Sequence, residues 1–172
     1  EIRLSLVGSE MCIRDSSVTV TGVNAVGRVY DATVRASLTG SPVVTPVSGA
    51  GDSPVVTGTA LAVFGDANAA ANKPVTVTGY SLSGTGASNY ALIQPSGLTA
   101  TISQATLNVL ANADAKLFST ADGTNFNGVS YAGFVGADTA AVVGGTLVVA
   151  RSNATTQAAG TYAGVLQASG LS

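Results

Sequence analysis

The chain has 172 residues, enough for one or two small domains. Only 9% of them are charged and the net charge is −2, so no basic stripe is present to neutralise phosphates, which argues against nucleic-acid binding. The longest apolar stretch, Ala140 to Ala150, is interrupted by Gly144, Gly145 and Thr146 and falls short of the ~20 residues a membrane helix needs, so no membrane span is expected. With so few Lys and Glu, the solvent face must be covered by Thr, Ser, Asn and Ala, a composition that suits an extracellular β-protein better than a cytoplasmic enzyme.

Residues 1–16 differ from everything that follows. They hold the one Cys (Cys12), the one Met (Met11), both glutamates (Glu1, Glu10) and three further charges (Arg3, Arg14, Asp15). Leu6-Val7-Gly8-Ser9-Glu10-Met11-Cys12-Ile13-Arg14-Asp15-Ser16 resembles one reading frame of a transposon-end adapter used in preparing sequencing libraries. The segment is expected to be an artefactual, disordered leader, and an acidic Glu1 before a very short apolar stretch does not make a signal peptide. Cys12 has no His anywhere in the chain to pair with as a reactive thiol, and residues 17–172 can form no disulfide.

The first module is expected over residues 17–105. Val18-Thr19-Val20-Thr21-Gly22 alternates as a strand does, with Val26–Asp31 and Val34–Gly40 as the next segments. Ser41–Pro54 carries three prolines with Gly49, Gly51 and Asp52 and reads as a loop. Two long alternating runs follow, Val55–Phe64 and Pro74–Ser83, joined by the turn-rich Gly65–Lys73. Gly84–Asn89 reads as a turn, Tyr90–Ile93 as a short strand and Leu98–Ile102 as the closing strand.

Arg28-Val29-Tyr30-Asp31-Ala32-Thr33 resembles the K-V-Y-D-G-T signature of YDG-type repeats, found in filamentous-haemagglutinin-like exoproteins of Gram-negative bacteria. Further family motifs follow in order: Ala50-Gly51-Asp52, Thr57-Gly58-Thr59-Ala60, Val75–Gly79, Tyr80–Gly84, Ser88-Asn89-Tyr90 and Gln94–Ala100. Ala32 stands where the family usually has Gly. Asp31 before Thr33 reads as an Asx-type turn, and Tyr30 as a strand-end ring with a wet hydroxyl.

A second module is expected over 106–172. Lys116-Leu117-Phe118 stands 88 positions after Arg28-Val29-Tyr30, Asp138 stands 86 after Asp52 and Thr146 stands 87 after Thr59 (116 − 28, 138 − 52, 146 − 59), the spacing of an internal repeat. Val142–Val149 echoes the first long run and Gly160–Leu166 the second. Asn127–Val135, Gly160-Thr161-Tyr162 and Ser169–Ser172 resemble the related MBG domains. Asp138 is expected to cap one short helical turn. Ser172 aligns with about residue 85, so this module is expected to lack its closing strand and to be marginally stable by itself.

The expected fold class is mainly β: two tandem small antiparallel modules, sandwich or β-grasp-like, with a parallel β-helix as the alternative. No catalytic, cofactor-binding or metal site is expected, and no cofactor. The six carboxylates beyond the leader each sit in a turn, and there is no His for a triad. Gly65-Asp66-Ala67-Asn68 offers two oxygen ligands, fewer than a calcium loop, and reads rather as an Asx turn. The resemblance implies a non-catalytic stalk fragment of a secreted two-partner adhesin at the Gram-negative cell surface. Its expected partners are neighbouring repeats of the same chain. The alternative reading is a module that itself binds a host-surface glycan or protein.

Overall fold

In the computed structural model, residues 16–46, 51–153 and 158–172 are described, so residues 1–15 of the expected leader lie outside them. The chain divides after Gln104 into two units. In unit 1 the alternating runs become ten strands: β1 (Ser16–Thr19), β2 (Thr21–Val26), β3 (Arg28–Val29), β4 (Arg35–Val43), β5 (Ser53–Thr57), β6 (Leu61–Phe64), β7 (Ala70–Thr78), β8 (Ser81–Thr85), β9 (Tyr90–Ile93) and β10 (Thr99–Ser103). A 3-10 turn at Ala87–Asn89 precedes β9. β1 begins at Ser16, inside the segment read as leader.

Six strands form one sheet in the order β2-β4-β6-β7-β10-β3. β2 also packs against β10, and a Cβ on Gly27, between β2 and β3, would lie 2.9 Å from the Thr101 carbonyl oxygen. The sheet is thus curled until its ends approach. The period of two then sends Ala62, Phe64, Val75, Val77, Ala100 and Ile102 into a shared core. Full burial of side chains such as Phe64 and Ile102 stabilises by about 1.5–3 kcal/mol each.

The fold is mainly β, built of several small, largely antiparallel sheets, and is consistent with a sandwich-like class. Two pairings are parallel, β1 with β9 and β10 with β3. Each joins strands from opposite ends of the unit, unlike the successive rungs of the β-helix alternative.

The two long runs differ from expectation in being broken. Val55–Phe64 divides into β5 and β6, and Pro74–Ser83 into β7 and β8. They form one antiparallel hairpin with a kink: Thr57 pairs with Ser81 before it and Leu61 with Thr78 after it. Gly58 and Gly79 face each other there with φ of 85° and 92°. A Cβ on either would collide with backbone carbonyl oxygen, of Gly79 and Thr59 respectively. Positive φ and the missing Cβ together let both strands bend at one level.

Unit 2 holds β11 (Asn108–Ala111), β12 (Val129–Ala132), β13 (Gly145–Arg151) and β14 (Leu166–Leu171), in two separate antiparallel pairs. Gly145 and Gly170 repeat the kink, with φ of 83° and 81°. Val148 pairs with Ser169 as Leu61 pairs with Thr78, and Gly144 exchanges backbone hydrogen bonds of 2.8 and 3.0 Å with Ser172 where Thr57 pairs with Ser81. β13 therefore runs 87 positions after β6 (148 − 61), and β14 runs 91 after β7 (169 − 78). The strand expected at Gly160–Leu166 begins instead at Leu166, and Ser172 matches Ser81 rather than residue 85. The short helical turn forms as a 3-10 turn, Ala140–Val142, but its cap is Thr139, whose side chain accepts from the Ala141 N–H at 3.4 Å, rather than Asp138.

Candidate functional site

The polar side chains of unit 1 are gathered where the sheet bends or ends. Asp31 Oδ1 accepts from the Thr33 N–H at 2.9 Å and from the Thr33 hydroxyl at 2.8 Å, closing the Asx turn expected from the sequence. Arg28 forms an ion pair with Asp31 and also donates to the Thr33 hydroxyl at 2.9 Å. Thr33 and Arg28 together hold the Asp31 carboxyl below its usual range. The guanidinium of Arg28 lies 5.5 Å from the centroid of the Phe64 ring and covers that end of the core. Tyr30 packs its ring against the same core. Ala32 has a φ of 60°, the left-handed conformation for which glycine carries no steric penalty. The turn is thus retained despite the Cβ.

Two motifs far apart in sequence meet at Asp52. Its Oδ2 accepts from the Tyr90 hydroxyl at 3.1 Å and from the Asn89 side-chain amide at 3.3 Å. A Cβ on Gly86 would strike the Asp52 carboxyl, so the turn before Asn89 closes tightly over it. The chemistry is that of a clasp: one carboxylate ties the start of β5 to the start of β9.

Gln94 answers the kink. At Gly79-Tyr80 the chain leaves β7 and has not yet entered β8, so the Tyr80 backbone groups lack a ladder partner. The Gln94 side chain supplies both bonds: its oxygen accepts from the Tyr80 N–H at 3.1 Å, and its nitrogen donates to the Tyr80 carbonyl at 2.8 Å. The Gln-Pro-Ser-Gly motif therefore opens with a side chain that imitates a strand.

Gly65-Asp66-Ala67-Asn68 forms an Asx turn, with the Asn68 N–H donating to Asp66 Oδ1 at 2.7 Å. A protein cation sits on it. The Lys73 ammonium pairs with Asp66 and donates to the Asn68 carbonyl at 2.8 Å. That contact, above all, lowers the Asp66 pKa. Lys73 is 7% exposed, on the face of β7 that also buries Val75 and Val77. Sequence reasoning passed over it, although its parity with those valines already put it on the inward face. Among the described residues, no group of three or more His, Cys, Asp or Glu stands where it could hold a metal ion.

In unit 2, Asp122 bridges two cations, Lys116 at 2.8 Å and Arg151 at 3.5 Å, and its carboxyl is held below its usual range, first by Lys116. Tyr131 and Phe134 rings lie 5.6 Å apart. The Asn125 side-chain oxygen accepts from the Val149 N–H at 3.0 Å and fastens the loop before β12 to β13. Beside these lies a hollow of about 650 Å³ lined by Leu110, Leu117, Phe118, Phe126 and Tyr162 among others.

The comparisons with known proteins agree with the arrangement of unit 1. No curated protein and no solved structure matches the chain. The family model described as the YDG domain matches residues 14–101, just over half of the chain, and includes every constellation described above for unit 1. The chain belongs to the YDG domain family.

Proposed function

We propose that this chain is a non-catalytic structural repeat from the stalk of a secreted bacterial surface adhesin, with an MBG-like second module following the YDG domain. One observation carries the reading: the polar side chains of unit 1, in the family motifs and in the Gly65–Lys73 turn, are spent on one another and on the backbone. Asp31 ties Thr33, Asp52 ties Asn89 and Tyr90, Gln94 ties Tyr80, and Lys73 ties Asp66 and Asn68. A carboxylate used as a turn lock or clasp is not poised for acid–base work, and a module whose motifs all serve rigidity is suited to spacing and presentation. The repeated kinked hairpin supports serial modules of one kind. The filamentous-haemagglutinin-like parent, two-partner secretion and the Gram-negative surface belong to this reading and follow from the resemblance of the motifs.

Direct glycan recognition usually presents several aromatic faces together. The tyrosines of unit 1 are dispersed instead: Tyr30 and Tyr80 pack on the core and Tyr90 bonds Asp52, while in unit 2 Tyr131 leans on Phe134 and Tyr162 lines the hollow with Phe118 and Phe126.

The test uses genetic fusions of one, two and three copies of residues 1–172, measured by small-angle X-ray scattering and by glycan-array binding. The stalk reading expects the maximum dimension to grow by a constant increment per copy and no saturable glycan binding. A compact, non-additive particle, or a glycan bound saturably by the single copy, overturns it.

A further inference from the structure

The first strand of unit 1 is β1 and its last is β10, and each lies parallel to an inner strand. β1 pairs with β9 from Ser16 with Tyr90 to Thr19 with Ile93, and the Val20 N–H continues the ladder to the Ile93 carbonyl at 3.0 Å. β10 pairs with β3 through Ile102 with Arg28 and Ser103 with Val29, and the Tyr30 N–H continues it to the Ser103 carbonyl at 2.8 Å. Parallel pairing decides how tension between the two ends of the unit is carried. Tension reaches β1 at its first residue, and it reaches β9 at its last, by way of residues 94–98 from β10. It reaches β10 at its last residue, and it reaches β3 at its first, by way of β2. In each pair the two strands are therefore drawn from opposite ends, and the bonds of the ladder are loaded together. In unit 2 the chain enters β11 at Asn108 and leaves β12 at Ala132, and these two residues face each other. Tension between those points would open that pair from one end, bond by bond.

Side chains resist the same displacement. Val18 of β1 and Val20 just after it are 3% and 2% exposed and alternate with exposed Ser17 and Thr19. Along β10, buried Ala100 and Ile102 alternate with exposed Thr99, Thr101 and Ser103. A slip of one residue along either strand would bring hydroxyls inside and turn the apolar side chains out. The next register that restores the alternation lies two residues on, about 6.6 Å away.

We propose that unit 1 bears tension along the chain as a shear clamp, with the β1–β9 and β10–β3 pairs as its two closures. This goes beyond the stalk reading, since a spacer needs length and stiffness but no resistance to axial load. The clamp is a property of unit 1 alone, so its failure leaves the stalk reading standing, and failure of that reading leaves the clamp.

Optical-tweezers pulling of the full 172-residue chain along two directions tests it. For axial load, DNA handles are attached at Cys12 and at Gln104→Cys, before and after the strands of unit 1. For the comparison, Cys12→Ser is combined with Ser53→Cys and Thr85→Cys, two exposed positions that face each other at the open end of the β5–β8 pair. Axial load is expected to give one cooperative rupture that releases residues 16–103 together, roughly 300 Å of extended chain. Its force is expected to be about twofold or more above that of the first rupture between positions 53 and 85. Equal or reversed forces overturn the proposal. So does a first axial step that frees β1 alone, the signature of a strand that peels away. Chemical denaturation of both variants without load completes the comparison. A difference in force that merely follows a difference in unfolding free energy also overturns the proposal, because in a clamp the direction of load sets the force.

Discussion

Phe64 of unit 1 and Arg151 of unit 2 occupy equivalent places on the kinked hairpin, 87 positions apart (151 − 64). Phe64 is 2% exposed, and Arg28 lies over its ring. In unit 2 a cation replaces the ring and Lys116 replaces Arg28, so two positive charges now meet, and Asp122 stands between them. The first arrangement fills the core; the second is a charge bridge beside a hollow. Around Phe64, five more side chains are buried together, whereas Val149 is the one buried apolar residue of unit 2 among the described residues. The comparison teaches that one hairpin geometry can be kept while its core is exchanged for a salt bridge. The shared glycines set the backbone in both units, and the equivalent position carries a buried ring in one and an ion-paired cation in the other.

The strongest way to break the comparison is to remove the ring. Phe64→Ala is expected to cost unit 1 about 3–5 kcal/mol, enough to unfold most small domains at moderate denaturant. Val149→Ala removes only two methyl groups from a thinly packed place and is expected to cost on the order of 1–2 kcal/mol. Chemical denaturation of the full chain, with amide exchange to assign each transition to its unit, checks both; equal losses would mean that unit 2 has a core equivalent to that of unit 1.

Kink geometry offers the next largest effect. Gly79→Ala places a Cβ against the Thr59 carbonyl at positive φ, and is expected to cost more than about 2 kcal/mol. Gly97→Ala has positive φ but open space, so about 1 kcal/mol is expected. Melting temperatures of the two variants separate collision from conformational strain. Gln94→Ala leaves the Tyr80 N–H and carbonyl without their side-chain partner, for an expected loss of about 1–3 kcal/mol. A milder loss with Gln94→Glu, which keeps an acceptor but no donor, would show that both bonds matter. Ala32→Gly runs the other way: relief of the left-handed alanine is expected to stabilise unit 1 by about 1 kcal/mol, less the added freedom of the unfolded chain.

The smallest effect is on acid stability. Asp31, Asp66 and Asp122 all have pKa values below the usual 3.8 in the folded protein. Their contribution is fully present above that unfolded value and is lost as pH falls through the lower folded values. Stability is therefore expected to be flat above about pH 5 and to drop below pH 4. Asp122→Asn should abolish the acid dependence of amide protection in unit 2 alone. Solvent exposure of these carboxylates keeps each contribution modest.

Much of unit 1 was legible as a pattern. Tyr90–Ile93 and Leu98–Ile102 alternate clearly and lie in strands of nearly the same bounds, whereas Val18–Gly22 is divided at Val20 between β1 and β2. The Asx turn at Asp31 needed only a side chain two residues from its partner amide. The clasp of Asp52 on Tyr90 and the pairing of Gln94 with Tyr80 were not legible, because their partners lie 38 and 14 residues away and no local rule connects them. Val55–Phe64 looked continuous because Gly58 weakens an alternating pattern only slightly, and its collision partner is on the other strand.

Composition and side-chain parity alone determined that this protein is mainly β and that alternating runs recur at a spacing near 88 residues, since alternation depends on neighbours along the chain. Tertiary structure decided where the strands kink, which polar groups meet, and that a four-residue difference between the offsets of β13 and β14 (91 − 87) moves the last strand to Leu166–Leu171. Those outcomes depend on which backbone lies opposite which across a sheet, and strand pairing at long range is a property of the whole unit.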